Sequence, residues 1–407
     1  MRKRASGLRR SRRMGIVIAV AVVSLIAGTG TVLASANGWF GTSDNDWPYS
    51  PTGYAPVLAT VGDISCQPGT PQEAEKPKDV CDQGSGSTER NAAQNATAEQ
   101  VEAMKPALVA ILGDEQYQNG DYSDFENSYD KYWGAFKFLE RPAPGNHEFY
   151  DNHGQTGVRG LGYFDYFNGI RHNADGSEVD TTVTNPKSGT AVTQPAPLPQ
   201  GQAGDFGQAG NGWYSYNLGA WHLISLNVEC ADEPGGCSPT GSWFASETKW
   251  LAQDLSQDHA RCTLAYWHQP TFSSTADPFT SDSAEGQAAD AWWKLLYAHH
   301  ATLILTGHDH VYSRFAPMDP AGNYDPRHGI REFIVGTGGE SLDTVLPGTP
   351  NLQAWADQYY GVMKLVLEPD GYRWDYRSAM ESPSAPAGTP ATYSDSGFGR
   401  CSGPEGR

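Results

Sequence analysis

The sequence predicts an α/β sandwich, one domain wide. Short apolar runs of strand length alternate with stretches whose apolar residues recur at helical spacing, and two further stretches read as β-hairpins. A third observation locates the chemistry, because polar, mostly glycine-led clusters follow the apolar runs, where ligands bind in open α/β sheets. The 407 residues, 38% hydrophobic and 18% charged, suffice for a sizeable core and exclude collagen-like, coiled-coil and fully disordered chains.

The chain opens on an address label. Arg2, Lys3, Arg4, Arg9, Arg10, Arg12 and Arg13 precede an uncharged run from Met14, and Ala34-Ser35-Ala36 supplies a small-x-small cleavage site. Residues 1–36 therefore read as an export signal. Ser11-Arg12-Arg13 resembles the twin-arginine signal, although Gly15 stands where a bulky apolar residue is expected. The run 14–33 is nearly long enough to stay as an anchor, but Gly28, Gly30, Ala34 and Ala36 favour cleavage, which leaves no stable membrane span.

After a lead-in over 37–56, the body occupies 57–380. Strand 57–61 precedes helix 92–104, and strand 107–112 precedes helix 125–138. A polar, Gly/Pro/Thr-rich loop insertion follows over 173–211, then a hairpin of 214–218 with 221–227. Strand 264–267 leads to a helix bearing Trp292, Leu295, Leu296 and His299, then to strand 302–305. A second hairpin joins 362–367 to 372–376 across Pro369-Asp370-Gly371, and the Ser/Pro/Gly-rich residues 381–407 read as a tail.

Lys and Arg number 28 against 47 Asp and Glu, for a net charge of −19. The first 36 residues hold seven of the bases and no acid, so the rest carries 21 against 47, a net −26. Such a surface repels polyphosphate backbones and excludes a nucleic-acid-coating role, unless a metal or a local basic cleft reverses the field. Six cysteines in an exported chain read as a disulfide framework with 15 conceivable pairings. Cys230 and Cys237 flank the turn-forming Pro234-Gly235-Gly236, and Cys66 and Cys81 flank a Pro-rich loop, which leaves Cys262 for Cys401. No Cys-x-x-Cys occurs, so a redox role is not indicated.

Five polar clusters carry the chemistry. They are Gly62-Asp63, Gly113-Asp114-Glu115-Gln116-Tyr117, Gly145-Asn146-His147-Glu148, His268-Gln269-Pro270 and Gly307-His308-Asp309-His310. Carboxylate, amide oxygen, imidazole and phenolate are donors preferred by hard-to-borderline metal ions. Two metals sharing a bridging carboxylate need about seven protein ligands if positions are to stay open for water and substrate. Asp63, Asp114, Tyr117, Asn146, His268, His308 and His310 supply that number.

These motifs, in this order over roughly 57–380, resemble the calcineurin-like metallophosphoesterases and, among them, the purple acid phosphatases. The general superfamily begins with Asp-x-His, whereas here Asp63-Ile64-Ser65 has serine in the histidine position. Purple acid phosphatases also lack that histidine and place a tyrosine three residues after the bridging aspartate, as Tyr117 stands to Asp114. Gly307-His308-Asp309-His310, with Tyr312 and Arg314 after it, resembles the family's final motif. The resemblance implies α-β-β-α layers, a sandwich of two sheets flanked by helices with a dinuclear site at the strand ends.

The resemblance further implies that Asp63, Asp114, Tyr117 and His310 bind one metal, and Asp114, Asn146, His268 and His308 the other. The first metal would be ferric iron and the second iron, zinc or manganese. His147 matches the family histidine that contacts phosphate and protonates the leaving oxygen. A further catalytic histidine of many members has no clear counterpart here, since His299 and His300 read as structural residues of a helix. The implied activity is hydrolysis of small phosphate monoesters by a metal-bound hydroxide, in a secreted or cell-envelope enzyme. A phosphodiesterase or nucleotidase with the same metals is the alternative, and a non-catalytic metal-binding surface protein a third reading. His222 reads as a satisfied core histidine, and His153, His172, His259 and His328 as solvated. Trp267 and the aromatic run 163–167 are candidates to line the cleft.

Overall fold

The computed structural model describes residues 55–69, 80–81, 88–150, 160–168, 211–231, 235–276 and 284–402, with the backbone of four short strands between 171 and 193. The expected signal, the lead-in through 54, His153 and much of the insertion lie outside the described residues. The first elements are β1 (Val57–Val61), α1 (Glu89–Met104), β2 (Leu108–Leu112), β3 (Glu140–Ala143) and α2 (Leu161–Asn168). Next come β4 (Tyr214–Leu218), β5 (Trp221–Ser225), α3 (Ser242–Gln257), β6 (Cys262–Tyr266), α4 (Ala284–Ala298) and β7 (Leu303–Thr306). The remaining strands are β8 (Tyr312–Phe315), β9 (Arg331–Val335), β10 (Leu352–Ala356), β11 (Tyr359–Glu368), β12 (Gly371–Glu381) and β13 (Ser394–Arg400). Within the insertion, Arg171–His172 pairs with Glu178–Val179 and Thr182–Thr184 with Ala191–Thr193, as two short ribbons.

Two mixed sheets result. The first has the order β13-β12-β11-β1-β2-β3 and the second β10-β8-β9-β7-β6-β5-β4. β1, β2 and β3 run parallel, as do β5, β6, β7 and β9. Their period-2 alternation builds two cores. Leu264, Tyr266, Leu303 and Leu305 face one cluster shared with Leu58, Ile111 and Leu365 of the first sheet. Ala265, Trp267 and Ile304 face the other, with Trp243 and Leu251 of α3 and Trp292 and Leu296 of α4. On the first sheet, α1 is tied down where Gln100 donates to Arg377 O at 2.9 Å and accepts from Val362 N at 2.9 Å.

Three expectations need correction. The helix at 125–138 is a chain of short helical turns, α at Tyr122–Asp124, π at Phe125–Tyr129, α at Asp130–Tyr132 and 3₁₀ at Trp133–Leu139. One tertiary tie at this irregular stretch is visible, since the Tyr129 N–H donates to Gln116 Oε1 at 3.2 Å. The tail is not all loop, because β13 pairs along β12 and Asp395 accepts from Tyr312 Oη at 2.6 Å and Arg314 Nε at 2.7 Å. Its glycines mislead by composition: a Cβ at Gly397 or Gly399 would collide with the Trp374 or Tyr372 ring. Trp267 and the 163–167 run, expected beside a cleft, are buried among the described residues; Tyr163 Oη donates to Pro142 O at 3.1 Å and Trp267 Nε1 to Gln269 O at 2.7 Å.

Candidate metal centre

The clusters sit beyond the C-terminal ends of β1, β2, β3, β6 and β7. The loops after β1 and β2 stay paired past the strands, with Asp63 N–H donating to Gly113 O at 3.1 Å and Ile64 N–H to Asp114 O at 2.9 Å. Gly113 adopts φ +85°, and a Cβ there would lie 2.5 Å from His268 Nδ1, so only glycine lets β2 end against that ring. Asp63, Asp114 and His308 have φ of 62°, 50° and 67°. A left-handed conformation at a non-glycine residue costs about 1–3 kcal/mol, and such strain concentrates at functional sites.

Each side chain is aimed by its outer atoms. Asp114 Oδ1 accepts from His147 N–H and Asp63 Oδ2 from His308 N–H, both at 3.0 Å. That leaves Asp114 Oδ2 and Asp63 Oδ1 facing Tyr117 Oη, at 2.9 and 3.0 Å. Carbonyls only accept, so His268 Nδ1 donates to Leu112 O at 2.8 Å and His310 Nδ1 to Ser341 O at 2.6 Å. Their Nε2 atoms point inward. His310 Nε2 lies 3.1 Å from Tyr117 Oη and 3.3 Å from Asp63 Oδ1. His268 Nε2 lies 3.2 Å from Asp114 Oδ2 and 3.1 Å from Asn146 Oδ1. His308 Nδ1 lies 3.2 Å from Asn146 Oδ1 and 3.3 Å from His268 Nε2. Asn146 Nδ2 donates outward to Tyr150 Oη at 3.2 Å, which turns Oδ1 toward the histidines.

All seven expected donors are thus brought together in two adjoining groups that share Asp114. One atom each of Asp114, His268 and His308 lies within 4.8 Å of the other two. Lone pairs converge where cation charge would reconcile them, so the residues fit a dinuclear metal site. Ionisation agrees. Burial would raise the Asp114 carboxyl, but His268 and His147 outweigh it and hold it below the usual carboxylate range. Burial opposes charge on His268 and His310, yet Asp114 and Asp63 respectively push each up to about 10. Burial, then His268, drives His308 well down, and burial with Asp114 and Asp63 raises the Tyr117 phenol.

His147 stands beside this group. Its Nδ1 donates to Gln118 O at 2.6 Å, its Nε2 lies 3.9 Å from Asp114 Oδ2, and its ring centroid is 4.3 Å from that of Tyr117. The cysteines pair as Cys66–Cys81, Cys230–Cys237 and Cys262–Cys401. His222 is buried against Asp254 Oδ2 at 2.7 Å, while His259, His299, His300 and His328 are exposed.

Two contributors were not singled out from sequence. Glu148, fully buried, accepts from the N–H groups of Asp114 at 3.0 Å, Gln116 at 3.1 Å and Gly145 at 2.9 Å. The loop after β9 supplies Ser341 O, Asp343 Oδ2 to His310 N–H at 2.9 Å, and Glu340 N–H to Asp63 O at 3.1 Å. Its sequence signal is the glycine-rich Gly336-Thr337-Gly338-Gly339 after an apolar run, the same pattern as at the other strand ends.

Residues 60–312 match the calcineurin-like phosphoesterase family profile. An Arabidopsis thaliana protein described as a probable purple acid phosphatase is 23% identical over 264 residues, 63% of this chain and 53% of that one. An uncharacterised Mycobacterium tuberculosis protein is 26% identical over 153 residues, 32% of this chain and 28% of its own length. The chain thus spans between about a quarter and a half of these curated relatives. Among solved structures, the Plasmodium protein GAP50, described as the anchor in the inner membrane complex, shares the fold with a TM-score of 0.52 at 12% identity, over 84% of this chain and 88% of that one.

Proposed function

The chain belongs to the calcineurin-like phosphoesterase family, and from that premise we propose that it is an exported phosphomonoesterase of the purple acid phosphatase kind. The observation that carries the reading is the convergence of seven donors on two adjoining points, with an imidazole beside them that no donor group needs. In this reading Asp63, Asp114, Tyr117 and His310 hold one cation, and Asp114, Asn146, His268 and His308 the other. Tyr117 favours ferric iron in the first position. A phenol buried between two carboxylates ionises readily only against a highly charged cation. Iron, zinc or manganese suits the second position. When bound, the cations supply Lewis-acid charge against the phosphoryl oxygens and acidify the attacking water.

The chain's own groups do the rest. Asp114 faces both halves of the site through Oδ2 while the His147 N–H anchors Oδ1, and the carbonyls of Leu112 and Ser341 fix the tautomers of His268 and His310. Gln118 O holds His147 Nδ1–H, so Nε2 is the atom that carries a proton to the leaving alkoxide as the P–O bond breaks. Export is supported by three disulfides and by the arginine-rich start, with 1–36 as the signal and 57–380 as the catalytic domain. Among the described residues no helix is long and apolar enough to cross a membrane.

The test is metal analysis with a visible spectrum, followed by hydrolysis of para-nitrophenyl phosphate and of its bis-ester. Iron, a tyrosinate charge-transfer band absent from Tyr117→Phe, and faster monoester hydrolysis are expected. Faster diester hydrolysis would make the protein a phosphodiesterase. A metal-loaded protein inert to both would be a non-catalytic metal binder, and a colourless, iron-free, fully active one would remove Tyr117 from the metal.

A further inference from the structure

The metal centre lies beyond the C-terminal ends of the parallel strands, and the opposite ends of the second sheet carry a different surface. Arg261 immediately precedes β6, His299 and His300 precede β7, and Arg331 opens β9. Two clefts of about 240 and 940 Å³ meet there, sharing His300. Arg261, Arg327, Arg331 and Arg400 line them. So do His259, His299, His300 and His328, four of the chain's 11 histidines. Asp258 is the one acid in either lining. On a chain of net charge −19 this is a local reversal of sign. The five residues of β6, at about 3.3 Å each, put roughly 17 Å between this surface and His268.

Simple solvation explains part of it. α3 and α4 end here, and cations favour helix C-termini, which accounts for His259, His299 and His300. It does not account for Arg327, Arg331 and Arg400, which arrive from the loop before β9, from β9 and from β13. The nearby acids already have partners, and Asp325 Oδ2 lies 3.8 Å from His328 Nδ1, which offsets that one histidine. Asp258 Oδ1 accepts from Ala260 N–H at 3.0 Å and lies 3.7 Å from His222 Nδ1. Asp325 accepts from Tyr297 Oη at 2.8 Å and from the N–H groups of Arg327 and His328. Among the described residues, neither Arg261 nor Arg327 has a carboxylate within ion-pair distance.

The larger cleft also presents rings. Tyr324 and Phe398 are 60% and 47% exposed, two of the six exposed large hydrophobic side chains among the described residues. Guanidinium groups match phosphate oxygens in geometry, and open rings beside them stack on bases whatever the sequence. A polycarboxylate would use the charges and leave the rings idle. We propose that this arginine-lined, ring-flanked cleft is a binding site for a single-stranded phosphodiester chain carrying flat bases, separate from the metal centre. It requires only the local field, so it stands apart from the charge argument against coating a duplex.

The test is fluorescence anisotropy of a labelled oligothymidylate of about twelve nucleotides against the metal-loaded protein. Arg331 already donates to Phe315 O, Gln353 Oε1 and Tyr372 Oη, so three arginine contacts predict that log K falls with log salt at a slope of roughly −2. Arg261→Glu with Arg327→Glu should weaken binding at least about 10-fold and flatten the slope by roughly 1.4, with hydrolysis of para-nitrophenyl phosphate unchanged. Tyr324→Ser should weaken it about 5-fold or more, and inorganic polyphosphate should bind less tightly than the oligonucleotide. No binding at low salt, an unaffected double charge reversal, or polyphosphate binding as tightly as oligothymidylate would each overturn the proposal.

Discussion

Glu148 is the most informative residue to perturb, because it holds two loops of the metal centre without facing it. Its Oε2 accepts from Asp114 N–H and Gly145 N–H, and its Oε1 from Gln116 N–H, with no exposure to water. Glu148→Gln keeps the shape but replaces one accepting oxygen with a donor. If the amide nitrogen takes the Oε1 position, one buried N–H is orphaned; in the Oε2 position, two are. Each orphaned donor costs about 1–3 kcal/mol, so the smaller loss is the expected one. The loops would relax by moving Asp114 and Asn146, and losing such an orienting partner typically costs 10- to 100-fold in metal affinity or activity. Metal content under competition with a chelator, kcat on para-nitrophenyl phosphate and thermal unfolding are the measurements. Wild-type metal affinity and turnover in a folded Glu148→Gln protein would refute the reasoning and show that the strands alone set the geometry.

Three further outcomes are expected. His147→Ala should lower turnover by roughly two to four orders of magnitude with metal content nearly intact, since a proton donor acts in the transition state; concurrent metal loss would make it structural. Against the effect of burial, Asp114 and Asp63 push His268 and His310 up to about 10, so both carry protons at neutral pH in metal-free protein. Metal uptake should then release protons into a weak buffer and tighten as pH rises toward 10, whereas pH-independent affinity would contradict these ionisations. Cys401→Ser, with Cys262→Ser to avoid a stray thiol, opens a bridge between residues 139 apart and should cost about 2–5 kcal/mol in thermal unfolding, leaving kcat unchanged at low temperature.

What was legible in the sequence follows from burial. Parallel strands covered on both faces read as continuous apolar runs, so 57–61 matches β1 and 107–112 overlaps β2 all but one residue. All the donors but Asn146, which follows the charged β3, were legible because each follows such a run, and few other roles demand that mixture of side chains. Tertiary partners hid the rest. Nothing local to 125–138 reveals that Gln116 captures the Tyr129 N–H. The glycines of β13 make sense only once the rings of Trp374 and Tyr372 lie over them. Glu148 reads as an ordinary acid because two of its three partners stand on the loop after β2 and the third at its own loop's start.

The centre is also coherent only around positive charge. Three of its donors hold left-handed backbone, at about 1–3 kcal/mol each. His268 Nε2 and His308 Nδ1 face one another at 3.3 Å, so both cannot carry protons there; burial, then His268, drives His308 far below its ordinary pKa, while Asp114 raises His268 against the effect of burial. Asn146 Oδ1 meets both nitrogens, and the Tyr117 hydroxyl has one proton for two carboxylate oxygens. None of these arrangements optimises the protein groups among themselves. Packing on both faces of the second sheet and the backbone bonds that continue past β1 and β2 impose them, which is the expected signature of residues held for a cation and not for one another.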